Sequence, residues 1–356
     1  MHLNQGTVPE DYRAYLNRKV RWILLGLILV FVFFVLAISV GAVAIPPLDV
    51  VQSLLGISSS DKWDRIVWNV RLPQAIAAVV AGIGLAIAGV AMQSILRNPI
   101  ASPFTLGISS AGAFGAAVSV IVLGAGTMQS TVASPVAISN PYLTTTVAFI
   151  FCMIATGVIL AISHIKGASP EVMVLTGVAL SSLFSAGVMF LQYFSNDAQL
   201  AAVVFWTFGD VGRATWDMLP LMVVVVGAGT LYFIANRWNY NAIDAGDETA
   251  RGLGVNVTRV RLAGMTVAAV ISAVIVALLG VIGFVGLVCP HMMRRLVGDD
   301  QRYLIPGSAI AGAVLLLASD TVARIIVAPY ILPVAVLTAF LGAPVFIYLL
   351  FRGYKR

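Results

Sequence analysis

Long apolar runs constrain this chain more than any other feature, and "WILLGLILVFVFFVLAISVGAVAI" (Trp22–Ile45) is the first of them. A helix needs about 20 consecutive apolar residues to cross the hydrocarbon core of a bilayer. Apolar runs recur at roughly 22–45, 72–95, 107–124, 143–164, 172–193, 217–236, 262–282, 286–297, 305–322 and 333–351. The expected fold is therefore an all-α integral membrane protein of about ten transmembrane helices. Composition agrees, with 60% hydrophobic and only 10% charged residues in 356, where soluble domains carry about 25% charged. The eighth run is too short to cross alone and has to lie packed inside the bundle. The first follows a charged leader, "PEDYRAYLNRKVR", and lacks an A-x-A site, so it reads as a retained span.

The distribution of Lys and Arg orients the spans. With the N-terminus in the cytoplasm, only Lys62, Arg65, Arg71, Arg213 and Arg324 fall outside, and the other 16 of the 21 fall inside. Basic residues accumulate on the cytoplasmic side, so both termini are expected there. Dropping the eighth span would strand the C-terminal "RGYKR" outside. On this reading residues 1–21 are a cytoplasmic segment, and 22–356 form a single transmembrane domain with a cytoplasmic loop at 237–261. The net charge of +6 reports orientation rather than nucleic-acid binding. Two halves of five spans would be inverted repeats, and "RLPQAIAAVVAG" and "RLAGMTVAAVIS" open spans two and seven alike.

Several chemistries lack their residues. The two cysteines, Cys152 and Cys289, sit in apolar runs without metal spacing, and with three His in all no metal site is expected. Ion-coupled carriers place ionisable residues within their spans. Here the exceptions are Asp320 and Arg324, whose i, i+4 spacing also suits a plain intrahelical pair near the outer surface. No G-x-x-x-x-G-K-[ST] occurs, so the chain has no P-loop nucleotide site and no catalytic residues are assigned. His291 in "CPHMMRR", near Cys289, is the best enzymatic candidate, but i, i+2 positions do not share a helix face. A stand-alone carrier or channel, or a membrane enzyme, is thereby disfavoured.

Small residues mark close packing. Ala78, Gly82 and Ala86 form one stripe on span two, and Gly84 and Ala88 a second. Gly280, Gly283 and Gly286 lie where span seven must break into span eight, before Pro290. On the outside, 46–56 and 197–212 are too polar or too short to span, and Phe205, Trp206 and Phe208 suit an interfacial helix. The segment "VAPYILP" after span nine suits the same role.

Between spans six and seven, "NAIDAGDETARGLGVNVTRVR" (Asn241–Arg261) is polar, charged and punctuated by glycine. "DETARGLG" reads as a short helix with Asp247 and Glu248 at its start and Gly252 or Gly254 at its end. That is more structure than a solvated connector needs, and it suits docking to a cytoplasmic partner. A pore former with no engine and a docking helix matches the membrane subunit of a primary transporter whose ATPase is a separate chain.

The residues that carry a family likeness are long. "RLPQAIAAVVAGIGLAIAGVAMQSILRNPIASPFTLGISSAGAFG", "GDETARGLGVNV", "IGFVGLVCPHMMRRLVGDDQRYLIPGSAIAGAVLLLASDTVARI" and "LPVAVLTAFLGAPVFIYLL" occur in that order. In them the chain resembles the FecCD-type permeases of ABC importers for ferric siderophores, haem and cobalamin. The resemblance implies two such permeases, as a homodimer or a pair, around a central path in the cytoplasmic (inner) membrane. It also implies two ATPase subunits that hold ATP and Mg, and an extracytoplasmic substrate-binding protein. This chain would carry no cofactor of its own. A ferric siderophore is the leading substrate, with cobalamin or another corrinoid, haem and an oxyanion as alternatives.

The same resemblance assigns site residues. Asp247, Glu248, Arg251, Gly252 and Gly254 would couple to the ATPase. Asn98 and Ile100, in "NPI" where the family has "NPL", and Ser169 before span five would form the cytoplasmic gate; Asn98 also suits a plain turn. Arg71 and Arg324 would pair with acidic residues on the two lobes of the binding protein, as in the cobalamin member. The second Arg of the family's "RLPR" is Gln74 here, with Lys62 or Arg65 as candidate substitutes. Its "ELPVGV" is "ILPVAV", with Ile331 for Glu and Ala335 for Gly.

Overall fold

The computed structural model describes residues 10–41, 43–57, 60–127, 137–138, 140–166, 169–328 and 330–353. Residues 1–9 of the expected N-terminal segment and the last three of "RGYKR" lie outside the described residues. In chain order the helices are α1 (Glu10–Ser39), α2 (Pro47–Leu54), α3 (Asp61–Ile66), α4 (Leu72–Ile95) and α5 (Ile108–Ala117). Then follow α6 (Pro141–Ile165), α7 (Pro170–Tyr193), α8 (Asp197–Thr207), α9 (Leu219–Ala235) and α10 (Arg237–Asp244). The last are α11 (Asp247–Gly252), α12 (Val257–Leu279), α13 (Val285–Val297), α14 (Gln301–Ala323) and α15 (Val334–Gly353). Extended pairing among the described residues is one two-residue ladder, Gly126–Thr127 with Ala137–Ile138.

Ten of these helices stand where the apolar runs predict spans: α1, α4–α7, α9 and α12–α15. Six are long and apolar enough to cross unaided, and α9 with α10 makes a seventh that bends by 60°. Of the rest, α5 and α13 are short. α13 has 13 residues, about 20 Å at 1.5 Å per residue, and it packs against α4, α14 and α15 rather than facing lipid alone.

α1 begins at Glu10 and ends at Ser39, so residues 10–21 of the expected N-terminal segment are helical and continuous with the first span. No proline interrupts this stretch, and Lys19 is buried between the rings of Tyr15 and Tyr303, 4.3 and 4.9 Å away.

α4 is the axis of the bundle, with α9, α12, α13 and α14 around it. Its two small-residue stripes meet different neighbours. A Cβ on Gly82 would stand 2.3 Å from the carbonyl oxygen of Gly312 on α14, and one on Gly89 would stand 1.8 Å from that of Gly286 on α13. Gly84 faces Ile271 and Ile275 of α12 and Val226 of α9. Small residues let helix backbones approach closely in lipid, and here the contact is backbone on backbone. The break between α12 and α13 falls at Gly280, with φ +82°. A side chain at Gly280 would meet the Trp206 carbonyl at 2.7 Å. Pro290 lies inside α13 and does not form the turn.

Candidate coupling site at the cytoplasmic end

α11 is a six-residue helix held between two left-handed glycines. Gly246 (φ +119°) precedes it and Gly254 (φ +83°) ends it, a region open to glycine and costly for other residues. The Gly254 N–H donates to Arg251 O at 2.9 Å and the Val255 N–H to Ala250 O at 2.9 Å, which satisfies carbonyls that a helix end leaves free. Gly254, not Gly252, is thus the capping glycine; Gly252 is the last helical residue and carries no positive φ.

One face of α11 projects outward. Glu248, Thr249, Arg251 and Gly252 are exposed, and Leu253 is 69% exposed. An apolar side chain held out at a capped helix end suits a pocket on a partner, and sequence reading missed it because one Leu in a loop carries no signal. Ala250 is the buried residue of the helix.

Asp247 differs from the expectation of a partner-facing residue. It accepts two hydrogen bonds from the Arg261 guanidinium, at 2.9 and 3.1 Å. Arg261 is 2% exposed and also donates through Nε to Ile95 O at 3.0 Å. Ile95 ends α4, so Arg261 takes a carbonyl that the helix cannot satisfy itself.

The gate candidates follow at once. Arg97 adopts φ +46°, and Asn98 accepts from the Ile100 N–H at 3.1 Å through Oδ1. Asn98 therefore acts as a turn residue, and Ile100 projects, exposed, beside it. Ser169 precedes α7 and donates to Glu171. Among the described residues no hydrogen bond joins Ser169 to Asn98 or Ile100. Glu171 lies within electrostatic reach of Arg261 and Asp247.

A second polar cluster joins α10 to the bundle. Asp244 accepts from Ser94 at 3.2 Å and from Gln301 at 2.8 Å. Burial pushes the Asp244 carboxyl upward, and those two hydrogen bonds oppose the shift. Asn241 donates to Asp300 at 3.2 Å and accepts from the Gln301 N–H at 2.9 Å. Burial also acts to raise Asp300, but bonds from the Arg302 side chain and backbone and from Asn241 outweigh it and hold Asp300 at about 2. Sequence reading found none of this cluster, since its partners lie 57 to 207 residues apart.

At the opposite end, a cavity of about 920 Å³ opens between α6, α8, α12 and α14. Arg71, Gln74, Asp210, Arg213, Asp320 and Arg324 line it among mostly apolar side chains. The expected docking arginines are not presented to the surface here: Arg71 is 4% and Arg324 6% exposed. Arg71 donates to Ile38 O at 2.6 Å, Ser39 O at 2.8 Å and Val43 O. Arg324 donates to Ala37 O at 3.2 Å and pairs with Asp320. Both guanidinium groups thus hold carbonyls at the end of α1, where a cation also suits the helix dipole. Arg213 serves α8 in the same way, on Trp206 O at 3.1 Å and Phe208 O at 3.0 Å. Gln74 donates to Gly212 O at 3.1 Å. Lys62 and Arg65, on α3, are exposed. In α8, Trp206 is buried while Phe205 and Phe208 stay exposed.

No cluster of three or more His, Cys, Asp or Glu converges as a metal site among the described residues. Burial raises the cost of charge around the bundle axis, and the ionisable groups gather at its two ends.

A charge-poor helical bundle with a short helix projecting at one end is the architecture of a multi-pass membrane protein. The sequence profile of the FecCD transport family matches residues 28–352, and the chain belongs to that family. It is 49% identical over 349 residues to a chain of Methanocaldococcus jannaschii named, by inference, an ABC transporter permease protein, covering 98% of this chain and 99% of that one. It is 36% identical over 301 residues to the hemin transport system permease protein of Yersinia pestis, covering 85% and 87%. It is also 36% identical over 336 residues to the vitamin B12 import system permease protein of Serratia proteamaculans, covering 94% of each. A solved inward-facing structure described as of metal-chelate ABC transporter type superposes with a TM-score of 0.80 at 27% identity, covering 93% of this chain and 98% of that one.

Proposed function

We propose that this chain is the permease subunit of a binding-protein-dependent ABC importer that moves a metal chelate into the cytoplasm. ATP and Mg act on a separate ATPase subunit. The observation that carries the reading is α11: a short helix bracketed by two glycines at positive φ that presents Glu248, Arg251 and Leu253 outward. Those residues are the proposed contact with the ATPase, with Gly254 setting the exit of the chain. Asn98, Ile100 and Ser169 are the proposed gate. Lys62 and Arg65 are the proposed contacts to the binding protein, since Arg71 and Arg324 are occupied with the end of α1.

A ferric siderophore is the proposed substrate, with haem and cobalamin as the alternatives. Relatives named for hemin and for vitamin B12 stand at the same 36% identity, so likeness alone does not separate these cargoes. We place the protein in the inner membrane as a homodimer. α7 supports a paired arrangement, because its exposed face mixes Ser182 and Ser185 with Leu175, Leu183 and Met189. By contrast α1 exposes Leu24, Leu27, Ile28 and Phe31, as a lipid-facing helix does.

The test is ATP-driven uptake in proteoliposomes that hold the chain, its ATPase and its binding protein. Labelled ferric siderophore, haem and cobalamin are offered in competition. ATP-dependent uptake of the iron siderophore supports the reading. Uptake of cobalamin or haem alone retires the substrate while keeping the machinery. Uptake by the isolated chain down an ion gradient retires both.

A further inference from the structure

We propose that Arg261 is the positioning residue that passes motion of α11 to the cytoplasmic gate, and that Asp247 faces inward as its partner rather than contacting the ATPase. The proposal rests on the coupling reading above and goes beyond it. It begins with how weakly α11 is otherwise attached. The backbone enters α11 through Gly246 and leaves through Gly254, both at positive φ. Each is a position with no Cβ to hinder rotation. Ala250 is the one buried residue of the helix. A helix joined through two such glycines and one buried methyl group would swing on its joints when pushed from below, and the bundle would not follow.

Arg261 removes that freedom. Its guanidinium holds both oxygens of Asp247 while its Nε holds Ile95 O, so one planar group fixes α11 to the end of α4. Nη2 reaches both Asp247 oxygens and Nε reaches Ile95 O, so the rigid plane of the guanidinium fixes the angle between the two attachments. The bridge is 2% exposed on the Arg261 side, where water competes poorly for it. The load then has a short path. Ile95 is followed by Leu96, Arg97 at φ +46° and Asn98, whose N–H donates to Gln93 O at 3.0 Å. A shift of the Ile95 carbonyl therefore carries the turn bearing Asn98 and Ile100. Glu171, bonded by Ser169 at the start of α7, lies within electrostatic reach of the same pair. The turn bearing Asn98 and Ile100 is thus joined to Arg261 through Ile95 O. The Asp244–Ser94–Gln301 cluster does not replace it, because Asp244 precedes the Gly246 joint.

The experiment uses the full complex in proteoliposomes with Arg261→Lys, Arg261→Met and Asp247→Asn, and measures ATPase association, ATP hydrolysis and substrate uptake on the same sample. Lys keeps the charge but has no second nitrogen held in a plane to reach Asp247 and Ile95 O together, and Asn keeps the shape of Asp247. The expected result is wild-type association and hydrolysis, with uptake per ATP lowered about two- to thirtyfold, the span of coupling changes for network residues. Arg251→Glu, on the exposed face, should instead lower association. Folded Arg261→Lys with wild-type uptake per ATP overturns the proposal, and so does loss of association in Arg261→Lys or Asp247→Asn. Those two variants decide the matter when Arg261→Met does not fold. A wild-type complex that moves no substrate overturns the permease reading itself, and this proposal with it.

Discussion

Gly82→Ala should destabilise the bundle, while the same substitution at Gly157 should not. The added Cβ at Gly82 would stand 2.3 Å from the Gly312 carbonyl oxygen and 2.6 Å from its carbon. Both atoms are backbone, so no rotamer change relieves the clash. α4 and α14 must separate by about 1 Å to restore an ordinary contact near 3.5 Å, and a gap of that size forfeits about a quarter to a half of each displaced van der Waals contact. Overpacking of this kind costs about 1–3 kcal/mol, and more where the backbone must move. A Cβ on Gly157 of α6 meets nothing within 4 Å, and Ala is a better helix former than Gly by about 0.5–1 kcal/mol. Thermal unfolding of the purified chain in detergent, followed by loss of the monodisperse peak, should move down for Gly82→Ala and hold or rise for Gly157→Ala. Equal midpoints for the two variants would refute the close-approach argument.

Three further outcomes follow from the ends of the bundle. Arg251→Glu should abolish ATP-driven uptake through lost ATPase association while leaving expression and binding-protein docking intact; normal uptake would remove α11 from the proposed interface. Arg324→Met should lower thermal stability by about 3–5 kcal/mol, because it leaves Asp320 buried and unpaired, whereas Lys62→Glu with Arg65→Glu should weaken binding-protein affinity at unchanged stability. The reverse pattern would return the docking role to the buried arginines. Asp300, held at about 2, contributes stability that is complete above its unfolded value near 3.8 and is lost as pH falls from about 4 to about 2. Asp300→Asn keeps the N-cap of α14 but should flatten that acid loss, which a melting series in detergent between those pH values measures.

The membrane fold was legible because a bilayer imposes length and polarity on each span, and both can be read along one chain. Even the short α13 declared itself, since "RGYKR" would otherwise stand on the wrong side. The stripes on span two were legible for the same reason: Gly82 and Gly84 can serve different neighbours only if several helices surround α4. The start of α1 was not, because polarity marks where a helix leaves the bilayer and not where the helix itself ends. The site was legible as a helix and hidden as a network. The capping pattern of "DETARGLG" lies within eight residues, whereas Arg261 meets Ile95 across 166 and Gln301 meets Ser94 across 207. Charge bias assigned Arg71 and Arg324 to one face, and the structure brings both to one cavity, but charge counting carries no information about whether an arginine looks outward or turns in to cap a helix.

That last distinction organises the molecule. Four buried or partly buried arginines do the same chemical work, donating to carbonyls that helix ends leave without partners: Arg71 and Arg324 on α1, Arg213 on α8, and Arg261 on α4. At the outer end each acts between elements already fixed by packing; Gly209, for example, accepts from the Ala335 N–H at 3.0 Å, and a side chain there would clash with the Val281 carbonyl. An arginine there can only stiffen. At the cytoplasmic end Arg261 adds a carboxylate from a helix that hangs between two glycines. The same group then joins a movable element to a fixed one, which is what a transmitting contact requires and a capping contact does not. On the proposed reading, the difference between a rigid outer rim and a driven inner gate lies in what the second partner of each arginine is attached to.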